Sequence, residues 1–529
     1  MNSTSHSTHL FRKGRWNPCS STRALLFRRR RHQNSMMTHQ AAWTGMLVVC
    51  SLMMVVKAAH LGDSAADNSQ TTTPGDTPFY GVMLDAGSSS TKVKIFTYTK
   101  GKLPTLIPSV QLLVTKTVPP GLSDFISKLD ELPNYLNGTL QIAAQYVPVS
   151  QQASSPVYLM ATAGLRKLNE EDANQLLSAI RGVLADSSIN PFKFLPEHVS
   201  ILSGEEEAVY AWLSLNYLLG FFSSNMTSKD SVGMMEMGGG SMQVAFLPSA
   251  PLYQEEFQVY VGRERFDLYA QSYLDYGANY IRDRVYEVLM EESNTTGQVK
   301  RLESPCMLRG DKGKYAGSSA SYIEVTGTSD PEKCEGMLIK ILKPARDALC
   351  SPAPCAIGNR YQPDVDQVPF YAISAFVYSS EALHAIDSNK KLNISLLREN
   401  AWKHCTKAMG DPGVTKYGSS NCLMGLYIPQ LLTRGLDFPM NTNLITATTK
   451  ISNTSIDWAT GAMLQQLSMA FMDDLDSLTV RCQYGTKPFP LTTLQVTSGS
   501  HSVTPSIAVA VALLAVTFVR KLSEYISLF

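Results

Sequence analysis

The stretch FYGVMLDAGSSSTKVKIFTY, residues 79–98, opens the folded part of this chain. An apolar run ends in Asp85, a turn of glycine and serines follows, and alternating apolar residues then begin a second strand. That pattern predicts a hairpin with a polar tip. The stretch SVGMMEMGGGSMQVAF, residues 231–246, repeats it position by position, with Glu236 in the place of Asp85. The repeat predicts two related lobes, each with a carboxylate beside a turn of small residues.

Turns of this composition are suited to binding phosphate. Glycines let backbone N–H groups approach phosphate oxygens closely, and serine hydroxyls add donors. A carboxylate beside the phosphates can hold a divalent cation, directly or through water. One such hairpin alone would be read as an ordinary turn, whereas two copies with an acid in the same place favour phosphate binding.

Two further blocks lie between the hairpins. YLMATAGLRKL, residues 158–168, predicts a buried strand that leads through small residues into a helix starting near Asn169. In the next block, Ser203 and Glu206 fit the capping box of a long apolar helix, which gives Glu206 a structural role. Glu207 faces about 100° away around that helix and is a candidate general base for water.

Composition excludes several classes of function. The chain has 46 basic and 45 acidic residues, so its net charge of +1 provides no overall positive electrostatic field that would attract nucleic acid. The nine histidines form no H-x-H or H-E-x-x-H pair, which argues against a metallohydrolase built on imidazole ligands. Neither a G-x-S-x-G nucleophile motif nor a G-x-x-x-x-G-K-[ST] loop occurs.

The N-terminal end predicts attachment to a membrane. Residues 1–40 are basic and contain no acidic residue, and residues 41–56 are apolar. This order predicts a cytosolic tail followed by a transmembrane anchor. Cleavage after Ala58 or Ala59, as in a signal peptide, is the alternative, against which the long basic leader argues. Residues 60–78 are polar and predict a linker.

The C-terminal end predicts a second anchor. An apolar run lies within residues 503–519 and is followed at once by a basic pair, so we expect a transmembrane helix and a cytosolic tail over 520–529. The run is short for a span, and a buried C-terminal helix is the alternative.

The segment between these two runs has features of an oxidising, glycosylating compartment. Its sequons for N-glycosylation are at Asn137, Asn225, Asn294, Asn393 and Asn453. Seven of the nine cysteines also lie there, without zinc-ligand spacing. Proximity predicts the disulfides Cys306–Cys334, Cys350–Cys355 and Cys405–Cys422, and leaves Cys482 unpaired.

Five blocks in this order resemble the signature sequences of the ecto-nucleoside triphosphate diphosphohydrolases, the apyrase family. They are DAGSSST at 85–91, ATAGLR at 161–166, SGEEEAVYAW at 203–212, EMGGGSMQ at 236–243 and DWATGAML at 457–464. The resemblance covers residues 79–485 and, with two anchors, is to the cell-surface members. It implies an α/β, actin-like fold of two ribonuclease-H-like lobes with an interlobe cleft. Lobe I would comprise 79–203 with 457–485, and lobe II 204–456.

The resemblance also implies roles for residues at matching positions. The catalytic set would be Glu207 as general base, with Ser241 and Gln243 positioning the water. Phosphate would be bound by Ser88, Ser89, Ser90, Thr162, Gly238, Gly239, Gly240 and Ser241. A Ca²⁺ or Mg²⁺ ion would be held, mostly through water, by Asp85, Glu236, Thr162 and Trp458. An aromatic side chain of the second lobe would stack on the nucleobase, for which we select Tyr378.

These roles imply hydrolysis of nucleoside tri- and diphosphates to monophosphate and phosphate. The catalytic domain would be extracellular at the cell membrane, with the lumen of a secretory compartment as the alternative. Its partners would be these nucleotides and membrane lipid, not nucleic acid, and the transmembrane helices offer a route to a homo-oligomer. Glu236 departs from the family pattern, which has aspartate, and its longer side chain would alter the metal site.

Two rival functions remain for such a chain. An ATP-dependent phosphotransferase shares the actin-like fold but needs a bound acceptor, for which the sequence offers no feature. A nucleotide-binding ectodomain with little catalysis is the other rival, which the exchange at Glu236 allows. Glu207, Ser241 and Gln243 argue against it because binding alone needs no groups that activate water.

Overall fold

A computed structural model describes residues 78–483, except 101–106, 223–229, 254–255, 263, 294–300, 316–321 and 343–352. From residue 471 onward, only the backbone is described. The predicted tails and anchors lie outside the described residues, as does the predicted linker except for its last residue. Within the part that is described, no helix is both long and apolar enough to cross a membrane.

The first half of the described chain forms a five-stranded sheet with the order β3-β2-β1-β4-β5. Its strands are β1 Phe79–Ala86, β2 Thr91–Thr99, β3 Ser109–Val118, β4 Val157–Ala161 and β5 Val199–Ile201. Its helices are α1 Leu132–Ala144, α2 Val149–Gln152, α3 Ala163–Arg166 and α4 Glu170–Ala185. The strands β1 and β4 pair in parallel, whereas β1 and β2 form the predicted hairpin. Residues 81–86 are buried, which explains why β1 is almost entirely apolar.

A six-stranded sheet with the order β16-β15-β6-β7-β9-β8 lies in the second half. The strands are β6 Gly233–Met237, β7 Ser241–Phe246, β8 Glu256–Val261, β9 Glu264–Leu274, β10 Arg301–Ser304, β11 Lys312–Tyr315, β12 Ile323–Gly327, β13 Cys355–Ala356, β14 Arg360–Tyr361, β15 Phe370–Ser374, β16 Ile445–Ala447, β17 Lys450–Ile451 and β18 Thr454–Ser455. The helices are α5 Gly204–Leu218, α6 Ala278–Glu292, α7 Pro331–Leu342, α8 Ala375–Ala382, α9 Ile394–Cys405, α10 Gly418–Gln430 and α11 Trp458–Gln483.

The two sheets share one arrangement of strands. In both, an antiparallel hairpin (β1–β2 or β6–β7) continues into a third antiparallel strand on one side. On the other side, two parallel strands follow, β4 and β5 in the first sheet and β15 and β16 in the second. The internal repeat in the sequence is therefore a repeat of structure, and the predicted two-lobed α/β fold is confirmed.

The helices α5 and α11 tie the two sheets together. One apolar cluster includes Met83 of the first sheet, Met234 of the second, Trp212 of α5 and Met463 of α11. Burial of these side chains supplies the main driving force for holding the lobes together. The predicted lobe limits at residues 203 and 457 stay predictions, because α5 and α11 lie in a core to which both sheets contribute.

Local signals in the sequence also match the structure. Asn169 caps α4 by accepting a hydrogen bond from the N–H of Asp172 at 2.8 Å, which confirms the predicted helix start. The disulfides Cys306–Cys334 and Cys405–Cys422 are present as predicted. Cys355 is also disulfide-bonded. Its predicted partner, Cys350, lies outside the described residues, as does the side chain of Cys482.

Candidate active site

The tips of the two equivalent hairpins are closed by the same hydrogen bond. In the first turn, the Gly87 N–H donates to the Ser90 carbonyl at 3.0 Å, and in the second the Gly238 N–H donates to the Ser241 carbonyl at 3.0 Å. The acids that precede them pair with matching positions on the next strand, Asp85 opposite Lys92 and Glu236 opposite Gln243. Ser88 and Ser89 are exposed at the first tip.

The carbonyls of the second turn are occupied by backbone hydrogen bonds. The N–H groups of Asp275, Ala278 and Asn279 donate to the carbonyls of Gly240, Gly238 and Gly239, respectively, at 2.9–3.0 Å. Gly277 must be glycine, because a Cβ atom there would lie 2.6 Å from backbone atoms of Gly239. With its carbonyls satisfied from behind, the turn can present N–H groups to an anion.

The first turn is supported by α3. The Thr162 N–H donates to the Ala86 carbonyl at 3.1 Å, and this places the start of α3 beside the turn. Gly164 allows the contact, because a Cβ atom there would lie 2.8 Å from the Cα of Ser88. Thr162 is buried at this junction. The block ATAGLR therefore brings small residues against the first turn, as its composition predicted.

Glu207 lies in a closed hydrogen-bond network with the two other predicted catalytic residues. Its Oε2 accepts from Arg166 Nη2 at 2.9 Å and from Gln243 Nε2 at 3.4 Å. The Ser241 Oγ also accepts from Gln243, at 2.6 Å, and from Arg166, at 3.3 Å. Both acceptor positions of this hydroxyl are thus filled, so its hydrogen is available to donate to a water or a phosphate oxygen.

Glu206 and Glu207 have different roles, because only Glu206 takes part in the capping box. The Ser203 Oγ accepts from the N–H of Glu206 at 3.0 Å, and Glu206 Oε2 accepts from the N–H of Ser203 at 2.7 Å, as predicted. Glu206 is exposed, whereas the side chain of Glu207 is only 12% exposed. Burial raises the pKa of Glu207, Arg166 opposes this rise, and the charge of Asp85 adds to it.

Asp85 belongs to a buried cluster of charges. Its Oδ2 lies 3.4 Å from Lys94 Nζ, and the same ammonium lies 2.8 Å from Asp457 Oδ1. Asp457 also accepts from the N–H of Ala459 at 3.0 Å and so begins α11. Burial would lower the pKa of Lys94, but the charges of Asp457 and Asp85 raise it, so this lysine stays protonated.

Glu236 has an unsatisfied oxygen. Its Oε1 accepts from Ser374 Oγ at 3.1 Å, whereas its Oε2 is buried and has no hydrogen-bond partner among the described residues. A buried carboxylate oxygen without a partner is costly. Carboxylates and hydroxyls are the ligands of hard cations, and Mg²⁺ usually keeps waters and takes only one or two carboxylates. The chemistry of Asp85, Glu236 and Thr162 suits a divalent cation held largely through water, and among the described residues no group of three or more His, Cys, Asp or Glu side chains could hold one directly.

The raised pKa of Glu236 allows a prediction of how the free energy of unfolding depends on pH. Burial, with the charge of Glu207 in addition, raises the pKa of Glu236 from 4.5 to about 7. The folded protein therefore binds this proton more tightly than the unfolded chain, and stability falls as pH rises from 4.5 to 7. The shift corresponds to about 3 kcal/mol at 1.36 kcal/mol per pH unit.

We expect the melting temperature, measured in chelator, to decline over this range in the wild type and to decline less in Glu236→Gln. A divalent cation should restore stability most above pH 7, where the site is ionised. Equal pH slopes in the two proteins would contradict this account.

Two predicted residues, Trp458 and Tyr378, lie outside the hydrogen-bond network of Glu207, Ser241 and Gln243. Trp458 is buried at the first position of α11, and its neighbour Asp457 links it to the acids through Lys94. Tyr378 is 66% exposed on α8, one helical turn beyond Ser374. It lines a groove of about 1050 Å³ together with Tyr417, which is 60% exposed.

Sequence reasoning missed four residues of the site: Arg166, Lys94, Asp457 and Ser374. Three of them lie within or beside the blocks that carried the prediction. A signal existed for Lys94, because a lysine among Val93, Ile95 and Phe96 in a central strand needs a buried partner. Ser374 has a positive φ of 59°, which the sequence does not reveal.

Comparison with known proteins agrees with this geometry. The sequence pattern of the GDA1/CD39 (nucleoside phosphatase) family matches residues 73–481. A guanosine-diphosphatase of Saccharomyces cerevisiae is 29% identical over 73% of this chain and 80% of its own length. The rat ectonucleoside triphosphate diphosphohydrolase 8 is 29% identical over 75% of this chain and 84% of its own.

Among solved structures, nucleoside triphosphate hydrolases from Neospora caninum superpose with a TM-score of 0.57 at 14% identity. The superposition covers 81% of this chain and 97% of that one, and it shows a common fold. With the family pattern spanning both hairpins and the helix of Glu207, this chain belongs to the GDA1/CD39 family of nucleoside phosphatases and is a hydrolase of nucleotide phosphates.

Proposed function

We propose that this protein hydrolyses nucleoside tri- and diphosphates, such as ATP and ADP, to the monophosphate and phosphate. The observation that carries the proposal is the network in which Glu207, Ser241 and Gln243 meet beside the second turn. A protein that only bound nucleotides would not need a buried carboxylate, a serine and an amide converging on one point. The names of its relatives, which include a guanosine-diphosphatase and a triphosphate diphosphohydrolase, agree with both classes of substrate.

In the proposed mechanism, water attacks the terminal phosphorus in line with the leaving oxygen. Glu207 accepts the proton of this water, and Gln243 and Ser241 orient it. Arg166 contacts both Glu207 and Ser241, so it fixes the direction of the carboxylate. The terminal phosphate lies between the two turns, where Ser88, Ser89, Ser90 and the N–H groups of Gly239, Gly240 and Ser241 bind its oxygens.

Ca²⁺ or Mg²⁺ would be held mostly through water by Asp85 and Glu236, with Thr162 and Trp458 beside it. The ion would neutralise negative charge that develops on the phosphate oxygens. Lys94 contacts one oxygen of Asp85, Oδ2, and the proposed ligand of the ion is the other oxygen, Oδ1.

The nucleobase is proposed to stack on Tyr378. Tyr417 lines the same groove, and two exposed aromatic rings suit a flat, apolar base. The active domain is proposed to face the outside of the cell, with the lumen of a secretory compartment as the alternative. The disulfides Cys306–Cys334 and Cys405–Cys422 support an oxidising compartment.

One experiment tests both activity and location. Cells that produce the protein receive ATP, ADP or AMP in the medium, with Ca²⁺, with Mg²⁺ or with chelator, before and after permeabilisation. We expect phosphate release from ATP and ADP but not from AMP, no release in chelator, and full activity on intact cells because nucleotides do not cross membranes. Activity that appears only after permeabilisation would indicate that the catalytic domain faces the lumen of a secretory compartment. Release from AMP, or release in chelator, would refute the proposed reaction.

A further inference from the structure

An ion pair closes across the cleft next to the two turns. Lys167 follows α3, and its Nζ lies 2.8 Å from Asp275 Oδ1. The same ammonium lies 3.1 Å from the centre of the Tyr280 ring, in cation–π contact. Lys167 comes from the first half of the fold, whereas Asp275 and Tyr280 come from the second. We refer to these three residues as the clasp.

On one side, the clasp is attached to the first turn. Lys167 directly follows α3, and Thr162, which immediately precedes α3, donates to the carbonyl of Ala86 at the end of β1 at 3.1 Å. Gly164, three residues before Lys167, lies against the Cα of Ser88. A displacement of Lys167 would therefore move the first turn.

On the other side, the clasp is attached to the second turn. The N–H of Asp275 donates to the Gly240 carbonyl at 2.9 Å, and the segment that follows holds the carbonyls of Gly238 and Gly239. Asp275 has a positive φ of 71°, a conformation that costs energy for a residue with a side chain. This backbone conformation lets the side chain of Asp275 reach Lys167 while the N–H of Asp275 stays bonded to the second turn.

From this geometry, we propose that Lys167 and Asp275 are positioning residues that set the separation of the two phosphate-binding turns. In this role they contact neither the substrate nor the attacking water. Their ion pair instead keeps Ser88, on one side, at a fixed distance from Ser241, on the other, so that the water next to Glu207 is in line with the leaving oxygen of the phosphate. This inference rests on the proposed function, because it assumes that one phosphate is bound by both turns.

The pair is suited to mutation because it contributes little to folding. The side chains of Lys167 and Asp275 are 30% and 48% exposed, and exposed ion pairs have small effects on stability. A matched control exists in Lys340 and Glu292, which also lie 2.8 Å apart but within one lobe and far along the chain from both turns. Their side chains are 67% and 50% exposed.

The test compares full-length wild type with Lys167→Met, Asp275→Asn, the double variant, Lys167→Arg and Lys340→Met. We expect kcat for ATP to fall about 10-fold in each single clasp variant, because a displacement below 1 Å already costs rate. The double variant should lose no more than either single variant, because the two residues act as a unit. Lys167→Arg keeps the charge and the ring contact and should retain most of kcat, and Lys340→Met should match wild type. Melting temperatures should stay unchanged throughout.

Several outcomes would contradict the proposed positioning role of Lys167 and Asp275. Additive losses in the double variant, or a loss in Lys167→Met that Asp275→Asn does not share, would show that Lys167 and Asp275 do not act as one positioning pair. Wild-type kcat in both single variants would show that the pair has no part in positioning. Failure of the proposed function is a separate result, because it would appear as absent hydrolysis in the wild type itself.

Discussion

A Glu207→Gln variant is expected to lose about 10²- to 10⁴-fold of kcat, the range that a positioned general base contributes. The amide has the size of the carboxylate and can still accept from Arg166, but it cannot take a proton from water. KM for ATP should change little, because Glu207 does not hold the phosphate oxygens in the proposed mechanism. The measurement is steady-state phosphate release from ATP and ADP at saturating divalent cation.

Glu206→Gln is the matched control for this variant. It is the adjacent residue of α5, it is exposed, and glutamine can replace glutamate in the capping box. Both variants therefore remove one negative charge from the first turn of the same helix. A loss in Glu206→Gln as large as that in Glu207→Gln would assign the effect to the helix end. Full activity of Glu207→Gln would exclude Glu207 as the base and turn attention to Glu236.

The position of Glu207 could be predicted because its environment is encoded locally. A capping box fixes where α5 begins, and helix geometry then directs the next residue away from the cap. The two hairpins were predictable for a similar reason, since each is a strand, a turn and a strand contiguous in sequence. Their repetition also predicted two related lobes, which the matching strand orders of the two sheets confirm.

The partners of these residues could not be predicted in this way. Arg166 meets Glu207 from 41 residues away, and Ser374 reaches Glu236 from 138 residues away. Periodicity and capping describe neighbours on one element, whereas these pairs form where separate elements converge. The groove of Tyr378 and Tyr417 is a similar case, because α8 and the start of α10 meet only in the folded chain.

Lys94→Met is expected to destabilise the fold by about 3 to 5 kcal/mol, the cost of removing one partner from a buried ion pair. Methionine fills a similar volume, so the loss is one of charge. The side chain of Lys94 is 2% exposed and that of Asp85 is 5% exposed, so solvent cannot replace the ammonium. Two carboxylates, Asp85 and Asp457, would then lose the cation they share. The measurement is equilibrium unfolding in urea, in chelator and without nucleotide.

Lys92→Met provides the control, since Lys92 lies 3.7 Å from the same oxygen of Asp85 but its side chain is 50% exposed. We expect a change of at most about 1 kcal/mol there, as for surface pairs. Asp457→Asn keeps an acceptor for the N–H of Ala459 while losing its charge. Because Lys94 and Asp457 are in contact, the loss in the combined Lys94→Met, Asp457→Asn variant should be smaller than the sum of the separate losses. Additive losses, or a Lys94→Met protein as stable as Lys92→Met, would mean that β2 and the start of α11 are held together by apolar packing and not by this lysine.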